Sequence, residues 1–234
     1  MQNMKTFAKN HLPKSLVELT RTFLARNRSK YGNYSSITLT DEDIEQCTYK
    51  KYLGGGSKSW ETRGTFQLLF LQAMGMHKNS KLLDVGCGPG RASKHLIDFL
   101  EDNNYCGVDY NADFIKAARA MSEQNKLAVK NPIFEVIHNF SFEHIKPIFD
   151  YAIVFSVLNH CNIEQRKAFF RMIPGPLKED GKVYISHARW FDESYIEKTR
   201  MSLTNQFESN NFDVIKFGWP AGNGVLPIIE LTMS

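Results

Sequence analysis

No stretch of this 234-residue sequence approaches the ~20 consecutive apolar residues needed to cross a bilayer. Its first residues show neither the apolar core nor the cleavage site of a secretory leader. Cysteine is scarce: Cys47, Cys87, Cys106 and Cys161 are the four present, and they show no paired or metal-binding spacing. That pattern argues against a disulfide scaffold or a zinc module, and for reduced thiols in a cytoplasmic protein with no metal site. A strong charge of one sign is missing too. The net charge of +4 is placed unevenly, since residues 1–31 hold seven Lys/Arg against the single acid Glu18. The remainder holds 22 basic and 24 acidic residues, so the basic character belongs to an N-terminal arm.

What is present is ordinary globular material, 42% hydrophobic and 23% charged, enough for one α/β domain with or without a small extension. Its organising stretch is Lys81 to Leu96. A short apolar run, Leu82-Leu83-Asp84-Val85, enters Gly86-Cys87-Gly88-Pro89-Gly90, and a helical run follows from Arg91 to Leu100. A buried strand, a glycine turn and a helix N-terminus together make a cradle of backbone N–H groups for a nucleotide-type ligand. A dinucleotide fingerprint would need a third glycine where Arg91 stands. An NAD(P) oxidoreductase therefore shares the sheet but fails at that position.

The stretch resembles motif I of the class I S-adenosylmethionine (SAM) methyltransferases, hydrophobic-hydrophobic-D-hydrophobic-G-C/S-G-x-G, and matches it at every position. The resemblance covers about residues 60–234. It implies a seven-stranded, doubly wound, mostly parallel sheet with an antiparallel last strand, plus an N-terminal helical extension. The division expected is a basic arm and lid over 1–59 and a methyltransferase domain over 60–234. It also implies SAM as cofactor, held by Asp84, Gly86, Cys87, Gly88 and Gly90. Asp109, ending a second strand 25 positions past Asp84, would hold the ribose hydroxyls, as two charge-assisted hydrogen bonds to a vicinal diol require. Tyr110 follows it. A third strand, Ile133–His138, leads to Asn139 and Phe140, matched by position to the adenine contact. Phe155 and Arg63 complete the expected cofactor set.

Along the chain, Pro13 to Arg26 has the spacing of a basic amphipathic helix. Such a helix either packs on the domain with a solvated basic face or meets an anionic partner; the packed reading is favoured. Asp41–Glu45 looks like a capped helix start, Gly54–Gly56 a hinge, and Trp60–Met76 a helix. Phe149–His160 is a fourth strand and its exit, resembling the FDxVxxxxVLxH segment of small-molecule methyltransferases. Ile163–Ile173 is a helix, Pro174–Lys182 a loop, and Val183–His187 a fifth strand. Asp192–Glu208 reads as a helix, and Phe212–Phe217 with Leu226–Met233 as a terminal hairpin.

Acceptors in this fold meet the methyl group at the carboxyl ends of strands four and five. There His160 and His187 are candidate general bases, although either could instead be a helix cap or a satisfied polar group. Asn159, Arg189 and Trp190, with Tyr52 and Trp60 closing from the N-terminal side, are the candidate acceptor contacts. The N/D-P-P-Y/F motif of amino-group methyltransferases is absent, as are a Pro-Cys nucleophile and a radical-SAM cysteine cluster. A hydroxyl on a small polar molecule is the acceptor left easiest to defend. The segment Tyr31–Ser36 faintly resembles enzymes of surface-polysaccharide clusters, which suggests a sugar. Nucleic acid is not expected; an RNA methyltransferase, resting on the basic arm, and a non-catalytic SAM-binding partner module are the rivals. Oligomeric state stays open.

Overall fold

The computed structural model describes residues 37–53, 57–146, 148–186, 212–221 and 224–233. The expected helices over 13–26 and 192–208, the segment 31–36 and the glycines 54–56 lie outside them. Three helices come first: α1 (Asp41–Glu45), α2 (Tyr49–Leu53) and α3 (Ser57–Ala73). Thr40 caps α1 reciprocally, its Oγ1 accepting from the Asp43 N–H while Asp43 Oδ2 accepts from the Thr40 N–H. Strands and helices then alternate as β1 (Leu82–Val85), α4 (Ser93–Phe99), β2 (Tyr105–Asp109), α5 (Ala112–Gln124), β3 (Ile133–Val136), β4 (Phe149–Phe155), α6 (Ile163–Met172) and β5 (Leu177–Ser186). The described chain ends with β6 (Phe212–Ala221) and β7 (Gly224–Met233).

The sheet order is β3-β2-β1-β4-β5-β7-β6. The first five strands run parallel, and β7 lies antiparallel between β5 and β6. All four residues of β1 are buried, because a central parallel strand is covered on both faces. Alternation sorts the side chains. Leu82, Tyr105, Phe134, Ile153 and Tyr184 face a core with Phe66 and Phe70 of α3, Leu96 of α4 and Ile115 of α5. Leu83, Val85, Val108, Val154 and Ile185 face the opposite core with Phe169 and Phe170 of α6. The chain moves outward from β1 to β3 and then returns to the other side of β1 as β4. That reversal opens a crevice at the carboxyl ends of β1 and β4.

The fifth strand departs from the expected bounds. It begins at Leu177, paired with Phe149, and the pairing resumes at Lys182 with Tyr151 after an irregularity. Most of what reads as a loop from Pro174 to Lys182 is therefore an irregular first half of β5, a form that polar, glycine-containing sequence does not announce.

The segment before α3 is docked on the domain. The Leu39 N–H donates to Asp113 Oδ2 at 3.0 Å, and Asn111 Nδ2 donates to the Ile37 carbonyl at 2.9 Å. Leu39, Ile44, Tyr49, Leu53 and Trp60 cluster with Phe114 and Ala117 of α5. Helix α3 runs straight across position 59/60 and rests on the turn after β1 at Gly64, where an added Cβ would lie 2.4 Å from the Arg91 carbonyl oxygen. Backbone cannot yield as a side-chain end can. Gly64→Ala is thus expected to cost about 1–3 kcal/mol, seen as a lower urea midpoint at unchanged m-value.

Candidate cofactor site

The turn after β1 is pinned to β2. The Gly86 and Cys87 N–H groups both donate to the Val108 carbonyl, at 2.7 and 3.1 Å, and the Gly88 N–H donates to Asp109 Oδ2 at 3.0 Å. Gly86 has φ +75°, and a Cβ there would strike Val157 Cγ2 at 2.3 Å, so glycine lets β1 and the exit of β4 approach. Gly88 is different. With φ +57°, its missing Cβ would meet nothing within 4 Å, so the turn faces open space there.

Three non-glycine outliers share this edge of the sheet. Asn139 and Phe140 (φ 52° and 56°) follow β3, and Ser156 (φ 61°) follows β4. Each left-handed residue costs on the order of 1 kcal/mol, a strain that gathers where loops are held for a ligand. Phe140 turns its ring against Phe169, 5.2 Å between centroids. Two surface depressions of ≈ 320 and ≈ 500 Å³ lie elsewhere, one beside His77, Asp150 and Lys178, the other beside Arg119 and Glu135; neither includes a residue of the glycine turn.

Asp109 is 7% exposed, and its Oδ1 also accepts the Asn111 N–H at 2.9 Å. Burial pushes its pKa up, and these backbone donors pull it back. With the Tyr110 N–H as a third backbone donor, three of the roughly four lone-pair sites of the carboxylate are taken and capacity for a further donor remains. Tyr110 beside it is 46% exposed. Asp84 lies beneath the turn, 4% exposed, accepting from Tyr105 Oη at 2.8 Å; burial pushes its carboxyl up to about 7. The Cys87 thiol is buried and pushed well up, first by desolvation and then by Asp84 and Asp109. Burial likewise lifts Cys106 to about 12 and Cys161 to about 11, so none of the three supplies a thiolate near neutral pH.

The match to known proteins falls on this edge. Residues 83–183 fit the family described as "Methyltransferase domain". A methyltransferase domain thus matches residues 83–183 of the chain. A protein of Invertebrate iridescent virus 6 named "Putative methyltransferase 235L" is 27% identical over 131 residues, covering 54% of this chain and 46% of that protein. The chain thus spans about half the length of this curated relative. Among solved structures, a glycopeptide N-methyltransferase superposes with TM-score 0.60 at 13% identity, covering 73% of this chain and 90% of that one. Magnesium protoporphyrin IX methyltransferase from Synechocystis PCC 6803, solved with bound SAM, gives TM-score 0.56 at 16% identity over 96% and 100% of the two chains. At such identities the structures speak for the fold.

The methyltransferase domain gathers Gly86, Cys87, Gly88, Gly90, Asp109, Tyr110, Asn139 and Phe140 at the carboxyl edge of β1 to β3. Phe155 ends β4 but packs its ring on Phe66 and Phe70, 6.4 and 5.6 Å away. Arg63 is half-buried on α3. Trp60, expected as an acceptor contact, sits among core side chains. It is 4% exposed, 5.7 Å from the Tyr49 ring and 5.5 Å from the Arg91 guanidinium, because α1 and α2 fold back over it and its large apolar area goes to the core. His160, itself exposed, ends the 3₁₀ turn Leu158–His160 that follows β4. His187, Arg189 and Trp190 lie outside the described residues, as do the side chains of Tyr52 and Asn159. The residues that sequence reasoning missed are Tyr105, Ser93, Asn111 and Asp113. A tyrosine two places before a glycine, on the strand beside Leu-x-Asp, was the legible signal for the first.

Proposed function

We propose that the protein transfers the sulfonium methyl of SAM to an oxygen of a small hydroxylated acceptor, with a sugar or surface-polysaccharide precursor as the class. The observation that carries the cofactor half is Gly88: a left-handed turn residue facing open space, with its N–H on the carboxylate of Asp109. A ribose hydroxyl there would find a buried carboxylate with acceptor capacity left beyond its three backbone N–H donors, so the residues fit the group. Asn139 and the Phe140 N–H would take the adenine edge, and Tyr110 would cover the ring. SAM supplies an activated methyl group; the protein's part is alignment, desolvation and, for an alcohol, removal of the proton.

Oxygen is favoured as acceptor by the segment after β4, Phe155-Ser156-Val157-Leu158, which lacks the proline pair of amino-group methyltransferases. The test is transfer of labelled methyl from SAM across a library of sugars, alcohols and amines. Label on amines alone would overturn the oxygen reading. Asp109→Ala is expected to lose about 1–3 kcal/mol of SAM affinity by calorimetry. Unchanged affinity would remove Asp109 from the ribose.

A further inference from the structure

The acid of motif I does not lie open to the crevice. Asp84 is enclosed under the glycine turn, and its Oδ2 accepts from Tyr105 Oη at 2.8 Å. Tyr105 enters β2 opposite Leu82, while the residue opposite Asp84 is Gly107. The phenol therefore reaches Asp84 along its own strand, over a residue with no side chain. A Cβ at Gly107 would sit 2.9 Å from Tyr105 Oη and 3.1 Å from Phe134, so only bare backbone leaves the path clear. Behind the phenol, Ser93 Oγ lies 2.6 Å from Oη, fully buried at the start of α4.

This chain of hydroxyls can serve either form of the acid. When Asp84 is ionised, Tyr105 donates to it and accepts from Ser93. When Asp84 is protonated, it donates to Tyr105, which donates onward to Ser93. Neither state needs a heavy atom to move. The other groups facing Asp84 are Asp109 and Cys106 from β2, and Cys87 and Arg91 from the turn. Its neighbour on β4 is the apolar Ile153. Asp109 disfavours the charge and Arg91 favours it. Burial holds the Tyr105 hydroxyl well above its usual pKa, so it stays a donor.

We propose that Tyr105 is a positioning residue for the cofactor site, hydrogen-bonding Asp84 beneath the glycine turn and favouring its charged form, so that a negative charge underlies the sulfonium and ammonium groups of a bound ligand. This rests on the SAM reading above, since the sulfonium and ammonium of SAM are the cations concerned. Binding of such a ligand tightens as Asp84 ionises, and desolvation places that ionisation at about pH 7 in the free protein. Tyr105 sets where on the pH scale the tightening falls.

The experiment titrates SAM calorimetrically into the full chain and into Tyr105→Phe, from about pH 5.5 to about pH 9, with urea unfolding of both ligand-free proteins over the same range. Removing the phenolic donor should raise the midpoint of the affinity curve by about one pH unit, lowering affinity at pH 7 by up to about tenfold. The midpoint of the stability step should move up with it. A uniform loss at every pH with unmoved midpoints would mean a packing role and overturn the proposal. If wild type binds no SAM, the cofactor reading fails, and the ligand-free stability step still judges the Tyr105–Asp84 link. Should Tyr105→Phe not fold, the Asp84 carboxyl is followed by ¹³C NMR in wild type and Ser93→Ala. An upward shift in the variant supports the relay, and an unmoved midpoint overturns it.

Discussion

Alanine at His187 or at His160 is expected to slow methyl transfer by ~10²–10⁴-fold while leaving SAM affinity nearly intact. An alcohol gives up its proton only far above neutral pH, so attack on the sulfonium gains from a base that takes the proton as the new bond forms. Histidine is the side chain best suited to that near pH 7. His160 closes the 3₁₀ turn after β4, its N–H on the Val157 carbonyl at 2.9 Å. The turn is steadied by Arg166 Nε, which donates to the Leu158 carbonyl at 2.9 Å. His187 follows Ser186, the β5 residue paired with Phe155 at the end of β4. His160 thus follows β4 and His187 is next in sequence after β5, whereas His138 follows β3. The larger fall is expected at His187, whose neighbours Arg189 and Trp190 suit a polar or sugar-like acceptor. Single-turnover transfer from labelled SAM, with calorimetry on the same samples, separates chemistry from binding. Wild-type rates in both variants would mean that proximity alone drives the reaction, or that the acceptor needs no base.

The second large effect is on stability. Asp84→Asn is expected to make the ligand-free protein more stable above pH 7 while weakening SAM. In the folded chain desolvation lifts Asp84 to about 7 from 3.8, outweighing the Tyr105 hydrogen bond. A carboxyl raised on folding favours the native state while it stays protonated. Below about pH 4 both states hold the proton and nothing is lost. Between about pH 4 and pH 7 the unfolded chain alone releases it, and native stability falls; above pH 7 the loss is complete. The shift corresponds to about 4 kcal/mol at most. The asparagine recovers less, since Tyr105 can donate to its oxygen but its amide N–H groups gain no acceptor. The variant-minus-wild-type difference in urea stability against pH isolates this group from carboxyls moved the other way, such as Asp43 and Asp150. A flat difference curve would mean that Asp84 is not buried as described. A more stable protein that binds SAM less well is the ordinary exchange between stability and function at a site.

The sequence by itself determined the strand–turn–helix at Lys81–Leu96, the alternation of elements after it and the acid ending β2. Each of these is local: an apolar run of strand length, glycines where φ must be positive, an Asn or Thr at a helix start. Asn111 and Asn162 cap α5 and α6 through side-chain oxygens that accept backbone N–H groups of the first turn. What lay beyond the sequence was whatever depends on two distant segments meeting. That Trp60 packs with residues of α1, α2 and α5 is one such meeting. The first half of β5 reads as a loop until Phe149 pairs with Leu177. The hydrogen bond of Tyr105 to Asp84 exists because the register of β1 on β2 sets Gly107 beside Asp84 and lets the phenol reach across. Composition and spacing specify which backbone conformations each segment prefers. The charge state of a buried carboxyl is decided by the water that neighbouring segments exclude and the donors they bring, and those are fixed only when the sheet is assembled.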